Sequence, residues 1–191
     1  MPVYAKRHNA LRGFFTLSLL FFLVTPASAQ GFKIRSVETR LVNKVYQLNA
    51  DVEYSLSNNV LEALKNGVPL VILLEIKVEK ERNWWLNKSV GELKQGYLLL
   101  FHALSDKYIV NNLNSGAQYD FADVEEALAS LSHVEGLPIL DAKLVEPAAR
   151  YKVLLRTYLD LESLPAPVRP LAYLSAPWRL ESDWYQWPLQ R

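Results

Sequence analysis

The feature that most constrains the fold is a strict alternation of apolar and polar residues in KVYQLNADVEYSL, from Lys44 to Leu56. The apolar side chains, which a strand would point to one side, are Tyr46, Leu48, Ala50, Val52, Tyr54 and Leu56. The polar side chains between them are Gln47, Asn49, Asp51, Glu53 and Ser55. A period of two residues is typical of a β-strand with one buried and one solvated face. This stretch therefore predicts a sheet that covers a core with one side only.

Further strands are predicted on both sides of this one. In FKIRSVETRLV the parity of the apolar residues changes between Ile34 and Val37, which predicts a β-bulge, and Asn43-Lys44 predicts a hairpin turn. VPLVILLEIKVEKER predicts a central strand that ends in water, with Leu70, Ile72, Leu74, Ile76 and Val78 inside and Glu75, Lys77 and Glu79 outside. The run ELKQGYLLLFHALSDKYIVNNL predicts two strands with a turn at 105–107, and LPILDAKLV and RYKVLLRTYLDLESL predict two more.

Two short helices interrupt these strands. SNNVLEALKNG predicts a helix capped by Asn59 and stopped by Gly67. YDFADVEEALASLSHV predicts a helix capped by Asp120 and ended near His133. Because βα units do not recur, seven or eight strands favour a mainly antiparallel two-layer β-sandwich, Ig-like in its general architecture. Residues 30–191 are expected to form this single domain, with one helical turn at 168–174.

The first 29 residues have the layout of a signal peptide. Lys6, Arg7 and Arg12 precede an apolar block that is shorter than the roughly 20 residues of a membrane-spanning helix. Pro26 and the small residues 27–29 predict cleavage after Ala29, which places the chain in the periplasm without stable membrane insertion. An uncleaved N-terminal anchor is the alternative.

Composition narrows the possible functions. Cleavage removes three of the 21 basic residues and none of the 20 acidic ones, which leaves 18 against 20 and a net charge of −2. This balance gives no reason to expect nucleic-acid binding. The absence of cysteine excludes disulfides and thiol chemistry. Neither His102 nor His133 lies in a metal-binding or catalytic motif, so we expect no enzyme activity, no metal and no cofactor.

The last fourteen residues contain Trp178, Trp184 and Trp187. As a strand, this segment would place Trp178, Leu180, Ser182 and Trp184 on one buried face, because large indoles close a core effectively. The alternative is a display of rings for a partner or a sugar. Candidate residues for such an interaction patch are Trp84, Trp85, Arg169, Tyr185 and Trp187.

The pattern LPxPxRPLAYLSxxWxLxSxWxxW resembles the domain-of-unknown-function family 4390 of exported proteobacterial proteins. The pattern is carried by Leu164, Pro165, Pro167, Arg169, Pro170, Trp178, Ser182, Trp184 and Trp187. The resemblance implies a periplasmic setting and an accessory role in envelope signalling beside a membrane histidine kinase, but no activity or catalytic residue.

Two functional hypotheses follow. The first is a non-enzymatic module that binds another envelope or inner-membrane protein through sheet edges or the turn at Trp84 and Trp85. The second is a periplasmic carrier of a small apolar ligand or a glycan, with Tyr97, Leu99, Phe101 and the terminal tryptophans lining a cavity. The sequence leaves the oligomeric state open.

Overall fold

Two antiparallel sheets form the body of the protein, in a computed structural model that describes residues 31–82 and 87–189. The predicted signal peptide, Trp84 and Trp85 lie outside these residues. The nine strands are β1 (Phe32–Val42), β2 (Val45–Tyr54), β3 (Leu70–Lys80), β4 (Lys88–His102), β5 (Lys107–Asn112), β6 (Gln118–Phe121), β7 (His133–Asp141), β8 (Tyr151–Leu159) and β9 (Tyr185–Pro188). The small sheet has the order β1-β2-β7 and the large sheet β6-β5-β4-β3-β8-β9. The predicted β-sandwich with short helices is confirmed, with one strand more than expected.

The hairpin of β1 and β2 forms as the alternation predicts. Inward-facing Tyr46, Leu48 and Val52 are buried, and the register of β1 shifts between Ile34 and Ser36, where the bulge was predicted. Asn43 and Lys44 both have positive φ, 49° and 66°, which lets a two-residue turn match the twist of the strands.

Strand β3 is the centre of the large sheet, between β4 and β8. The five predicted inner residues are all almost fully buried: Leu70, Ile72, Leu74, Ile76 and Val78. They face the small sheet across a continuous apolar core. Burial of this size is the main favourable term in the stability of such a domain.

The helices are α1 (Asn58–Lys65), α2 (Val124–Ser132) and α3 (Arg169–Leu174), so the predicted turn at 168–174 forms a third short helix. Gly67, with φ of +85°, ends α1 as expected. Both predicted N-caps are wrong. Ser57 caps α1 by accepting a hydrogen bond from the Val60 amide, and Asp123 caps α2 by accepting one from the Glu126 amide at 2.7 Å.

Asp120 does not cap α2 because its backbone belongs to β6, where its carboxylate pairs with Lys107. The ladder between β5 and β6 extends to Phe121, so the chain leaves the extended conformation only after this residue. The helix therefore begins one turn later than predicted, at Val124.

The C-terminal segment is not the continuous strand that was expected. A 3₁₀ turn covers Ala176–Trp178, a single bridge joins Glu181 to Tyr158, and only Tyr185–Pro188 pairs regularly with β8. The ladder is interrupted at Ser182, whose hydroxyl accepts from the Thr157 amide at 3.0 Å and donates to the Asp183 carbonyl. The alternation of faces consequently changes after Ser182.

This change separates the three terminal tryptophans. Trp178 and Trp187 are buried in the core, with 4% and 9% of their surfaces exposed, and Trp187 Nε1 donates to Thr39 Oγ1 of the small sheet at 3.4 Å. Trp184 points to the outer side of the large sheet and is half-buried. The prediction of a buried, core-closing role holds for Trp178 and is wrong for Trp184, whereas Trp187, a candidate for display, is buried.

Candidate functional site

The outer side of the large sheet carries apolar residues where an exposed antiparallel sheet normally carries polar ones. We call this surface the outer apolar face, and it consists of Val71, Leu73, Leu98, Leu100, Ile109, Leu113 and Tyr158. Leu113 is 51% exposed, and the other six are half-buried and lie outside the core cluster. Their partial exposure contrasts with inner residues of the same strands such as Ile72, Leu99 and Val110, which are buried.

Strand register makes this face continuous. Val71 of β3 pairs with Leu98 of β4, and Leu100 pairs with Ile109 of β5. On the other side of β3, Leu73 pairs with Tyr158 of β8. Because directly paired side chains on one face are neighbours, the apolar surface extends across four adjacent strands.

Gly96 allows the middle of this face to pack closely. A Cβ atom at this position would lie 3.2 Å from Leu113 Cδ1 and 3.4 Å from Leu73 Cδ2. Without a side chain at Gly96, the two leucines approach each other over the backbone of β4. The Leu113 amide donates to the Gly96 carbonyl at 2.9 Å, which holds the β5–β6 connection against the face.

A buried ion cluster borders the outer apolar face at Glu75. The prediction that Glu75 faces water is wrong, since only 2% of its surface is exposed. Arg156 donates to Glu75 Oε2 from Nε at 2.8 Å and from a terminal nitrogen at 2.7 Å, and Lys77 Nζ lies 3.0 Å from Oε1. Both carboxylate oxygens are therefore paired, as a buried charge requires.

Trp184 and Tyr158 enclose the guanidinium of this cluster. The Arg156 guanidinium carbon lies 4.6 Å from the Trp184 ring centroid and 4.8 Å from the Tyr158 centroid, and Lys77 Nζ is 5.3 Å from Trp184. Aromatic faces attract cations, and these two rings also exclude water from the ion pair. Glu75 is thus buried by the side chains that neutralise it.

The ion cluster changes the titration of Glu75. Burial raises the pKa of the carboxyl, but the hydrogen bonds from Arg156 and Lys77 outweigh it, so the net pKa lies below the ordinary value of 4.5. A lowered pKa stabilises the fold above the unfolded value, and this contribution is lost as the pH falls through the folded value.

We predict that Glu75→Gln makes the free energy of unfolding less sensitive to acid. Urea titrations from about pH 7 to about pH 3 should show the stability of the wild type falling below about pH 4.5 more steeply than that of the variant. Glu135→Gln, a change at an exposed position of β7, is the matched control and should retain the wild-type slope. Equal slopes for Glu75→Gln and the wild type would contradict the assignment.

Charges of both signs border the outer apolar face. Ion pairs join Glu75 to Lys77 and Arg156 and Lys77 to Glu92 at one border, and Lys107 pairs with Asp120, the register partner of Ile109, at another. Within the described part of the chain Lys94 makes no ion pair, although it is exposed on the strand next to Glu75. The rim of the face therefore offers a cation to an incoming acidic group.

The interaction patch expected from the sequence does not form one surface among the described residues. Trp187 is buried, so its expected display is wrong, and Tyr185 beside it is 37% exposed with ring centroids 6.1 Å apart. Arg169 is exposed at the start of α3, where Nε donates to the Leu164 carbonyl at 2.6 Å. Trp84 and Trp85 lie outside the described residues.

His102 and His133, the histidines of the described residues, are exposed. His133 is the C-cap residue of α2, as expected, and its Nδ1 lies 2.8 Å from Asp51 Oδ1 in a polar groove of about 870 Å³ on the small sheet. Ser36 donates to the other oxygen of Asp51 at 2.6 Å. His102 Nδ1 lies 2.8 Å from Ser105 Oγ at the β4–β5 turn.

No group of three metal-binding side chains occurs within residues 31–82 and 87–189. Over the same residues, no helix has the length and apolar character needed to cross a bilayer.

Comparison with known proteins gives one match. No curated protein and no solved structure matches the chain. Residues 29–188 match the family described as "Domain of unknown function (DUF4390)". Since the match covers nearly all of the described fold, the chain belongs to this family.

Proposed function

We propose that the protein is an exported, non-enzymatic interaction module of the cell envelope, and that it binds another envelope protein through the outer apolar face. The single observation that carries this proposal is a contiguous, partly exposed apolar surface on the outer side of the large sheet, within the described residues. The inner side of this sheet already supplies the core, so the half-buried leucines on its outer side can bury their remaining surface only against a partner. Exposed, contiguous apolar surfaces mark interaction sites in proteins.

The charges at the rim favour a partner of particular chemistry. The exposed cation of Lys94, which makes no ion pair among the described residues, fits a partner whose apolar side chains are bordered by Asp or Glu. We propose a different protein with this chemistry as the occupant, and the family resemblance makes a membrane histidine kinase the first class to test.

Photocrosslinking in intact cells tests this proposal. A photoreactive phenylalanine analogue replaces Leu98 in the middle of the outer apolar face, and the same analogue at Arg40, exposed on β1 of the small sheet, is the matched control. Leu98 should give one discrete adduct with an envelope protein, and Arg40 should not give it. The same adduct should also form from Ile109.

Three results would contradict the proposal. No adduct from Leu98 or Ile109 would mean that the face is uncovered in the cell. Equal adducts from Leu98 and Arg40 would mean that capture is non-specific. An adduct between two copies of the chain would replace the proposed partner with self-association.

Cleavage of the signal peptide can be tested separately from partner binding. If the signal peptide is cleaved after Ala29, the intact mass of the protein recovered from the periplasm corresponds to residues 30–191. Mass spectrometry of the periplasmic and membrane fractions measures this directly. Full-length protein confined to the membrane fraction would show instead that the N-terminal segment is retained as an anchor.

A further inference from the structure

A second opening lies on the inner side of the large sheet, where the small sheet ends. Three strands cannot cover six, and α2 covers the part of the sheet near β5 and β6. Between α2 and these strands lies a cleft of about 370 Å³. This volume falls within the roughly 300–1,000 Å³ of small-molecule sites.

Aromatic and aliphatic side chains dominate the lining of this cleft. Tyr97, Tyr119 and Phe121 supply three rings, and Val110 and Leu131 supply apolar surface that belongs to the core. Among the described residues, no charged side chain lines the cleft. A ligand carrying a full charge would lose its hydration here without a counter-charge, so the lining selects a neutral molecule.

Two residues that line this cleft carry hydrogen-bond donors without a partner among the described residues. Asn112 Oδ1 accepts from Gln95 Nε2 at 2.7 Å and from the amides of Asn114 and Ser115, which fixes the orientation of the amide group. The Nδ2 atom of Asn112 donates to none of the described residues. The Tyr97 hydroxyl also has no hydrogen-bond partner among the described residues, and burial raises the pKa of this phenol.

The orientation of Asn112 is set by its own loop, so its free N–H group is presented in a fixed direction. A preorganised donor costs little to use when a ligand acceptor arrives. The adjacent strand positions of Tyr97 and Asn112, which are register partners, bring both donors to the same part of the cleft.

We propose that this cleft binds a small, neutral, mainly apolar molecule with a carbonyl or similar oxygen that accepts from both Tyr97 Oη and Asn112 Nδ2. This site differs from the carrier cavity predicted from the sequence. Of the residues expected there, only Tyr97 lines the cleft, because Leu99 is fully buried and Phe101 packs against Tyr108 at 5.0 Å. The site is independent of the outer apolar face.

The probe for this site is 6-propionyl-2-(dimethylamino)naphthalene, a neutral naphthalene with one carbonyl and a polarity-sensitive emission. Titration of the purified protein should give a saturable blue shift with one site per chain. Ser130→Phe places a ring in the cleft from an exposed position on α2 and should weaken binding by about tenfold or more. Ala129→Phe, the matched control on the next exposed position, should stay within about twofold.

Tyr97→Phe tests the polar contact separately from the shape of the cleft. It should weaken binding of the carbonyl probe by about fivefold, the loss of one hydrogen bond, and leave 2-(dimethylamino)naphthalene, which lacks the carbonyl, unchanged. Near-ultraviolet circular dichroism verifies that each variant is folded.

Three results would overturn the proposal. They are no saturable shift with the wild type, equal binding by Ser130→Phe and Ala129→Phe, or equal effects of Tyr97→Phe on both naphthalenes. If Ser130→Phe fails to fold, the Tyr97→Phe comparison decides the question alone.

Discussion

Arg156→Ala is expected to destabilise the protein by about 3 kcal/mol, a large part of the roughly 5–15 kcal/mol of a typical domain. The change removes both hydrogen bonds to Glu75 Oε2 and leaves a carboxylate that is 2% exposed with Lys77 as its remaining cation. It also removes the cation on which the Trp184 ring rests. Urea unfolding at neutral pH, monitored by tryptophan fluorescence, measures the loss.

The matched control is Arg150→Ala. Arg150 lies 3.4 Å from Glu81, but 79% of its side chain is exposed, so its loss should cost less than about 1 kcal/mol. The double change Glu75→Leu and Arg156→Leu should recover most of the stability, since apolar residues can replace a buried ion pair. If Arg156→Ala costs no more than Arg150→Ala, the cluster does not have the energetic role described above.

Trp187→Ala is expected to destabilise the protein by about 3–5 kcal/mol. The indole is buried opposite Val153 of β8 and reaches Thr39 of the small sheet, so it joins the two layers near the C-terminus. Removing it leaves a cavity between β9 and β1 and takes away the hydrogen bond to Thr39. Thermal and urea unfolding should both show the loss.

Tyr185→Ala on the same strand is the control for Trp187. Its ring is 37% exposed and packs on Trp187 from the side, so we expect the free energy of unfolding to fall by about 1 kcal/mol. Equal costs for the two variants would mean that Trp187 does not close the core.

Strands β2 and β3 were predictable because their apolar residues recur at every second position. The alternate residues from Tyr46 to Tyr54 and from Leu70 to Val78 are all buried, as this pattern predicts. The bulge in β1 was also visible in advance, because an added residue must change the parity of the apolar positions. Strand order was not predictable, since it depends on contacts between segments far apart in the chain.

The errors have identifiable physical causes. Near the starts of α1 and α2 lie four residues of types that favour N-caps: Ser57, Asn59, Asp120 and Asp123. Which residue caps each helix depends on where the preceding strand stops pairing. Glu75 was expected in water because it alternates with the apolar residues of the inner face. Its principal partner, Arg156, lies 81 residues away, and local sequence cannot show that pairing.

The apolar residues of the outer apolar face were visible in the sequence, but they were interpreted as part of strands buried on both sides. Val71 and Leu73 in β3, and Leu98 and Leu100 in β4, interrupt the alternation with apolar residues on the second face. Such a run predicts a strand covered on both sides. The structure shows that one of the two sides is uncovered within the described residues, and this difference is the basis for the proposed partner.

The most direct test of the proposed function is isothermal titration calorimetry with the purified partner identified by crosslinking at Leu98. Leu98→Lys puts a charge in the middle of the outer apolar face at a half-buried position and should weaken binding by about a hundredfold. Leu174→Lys, the same change at a residue of α3 that is 86% exposed, should leave binding within about threefold. Equal affinities for Leu98→Lys and the wild type would contradict the assignment of this face as the binding surface.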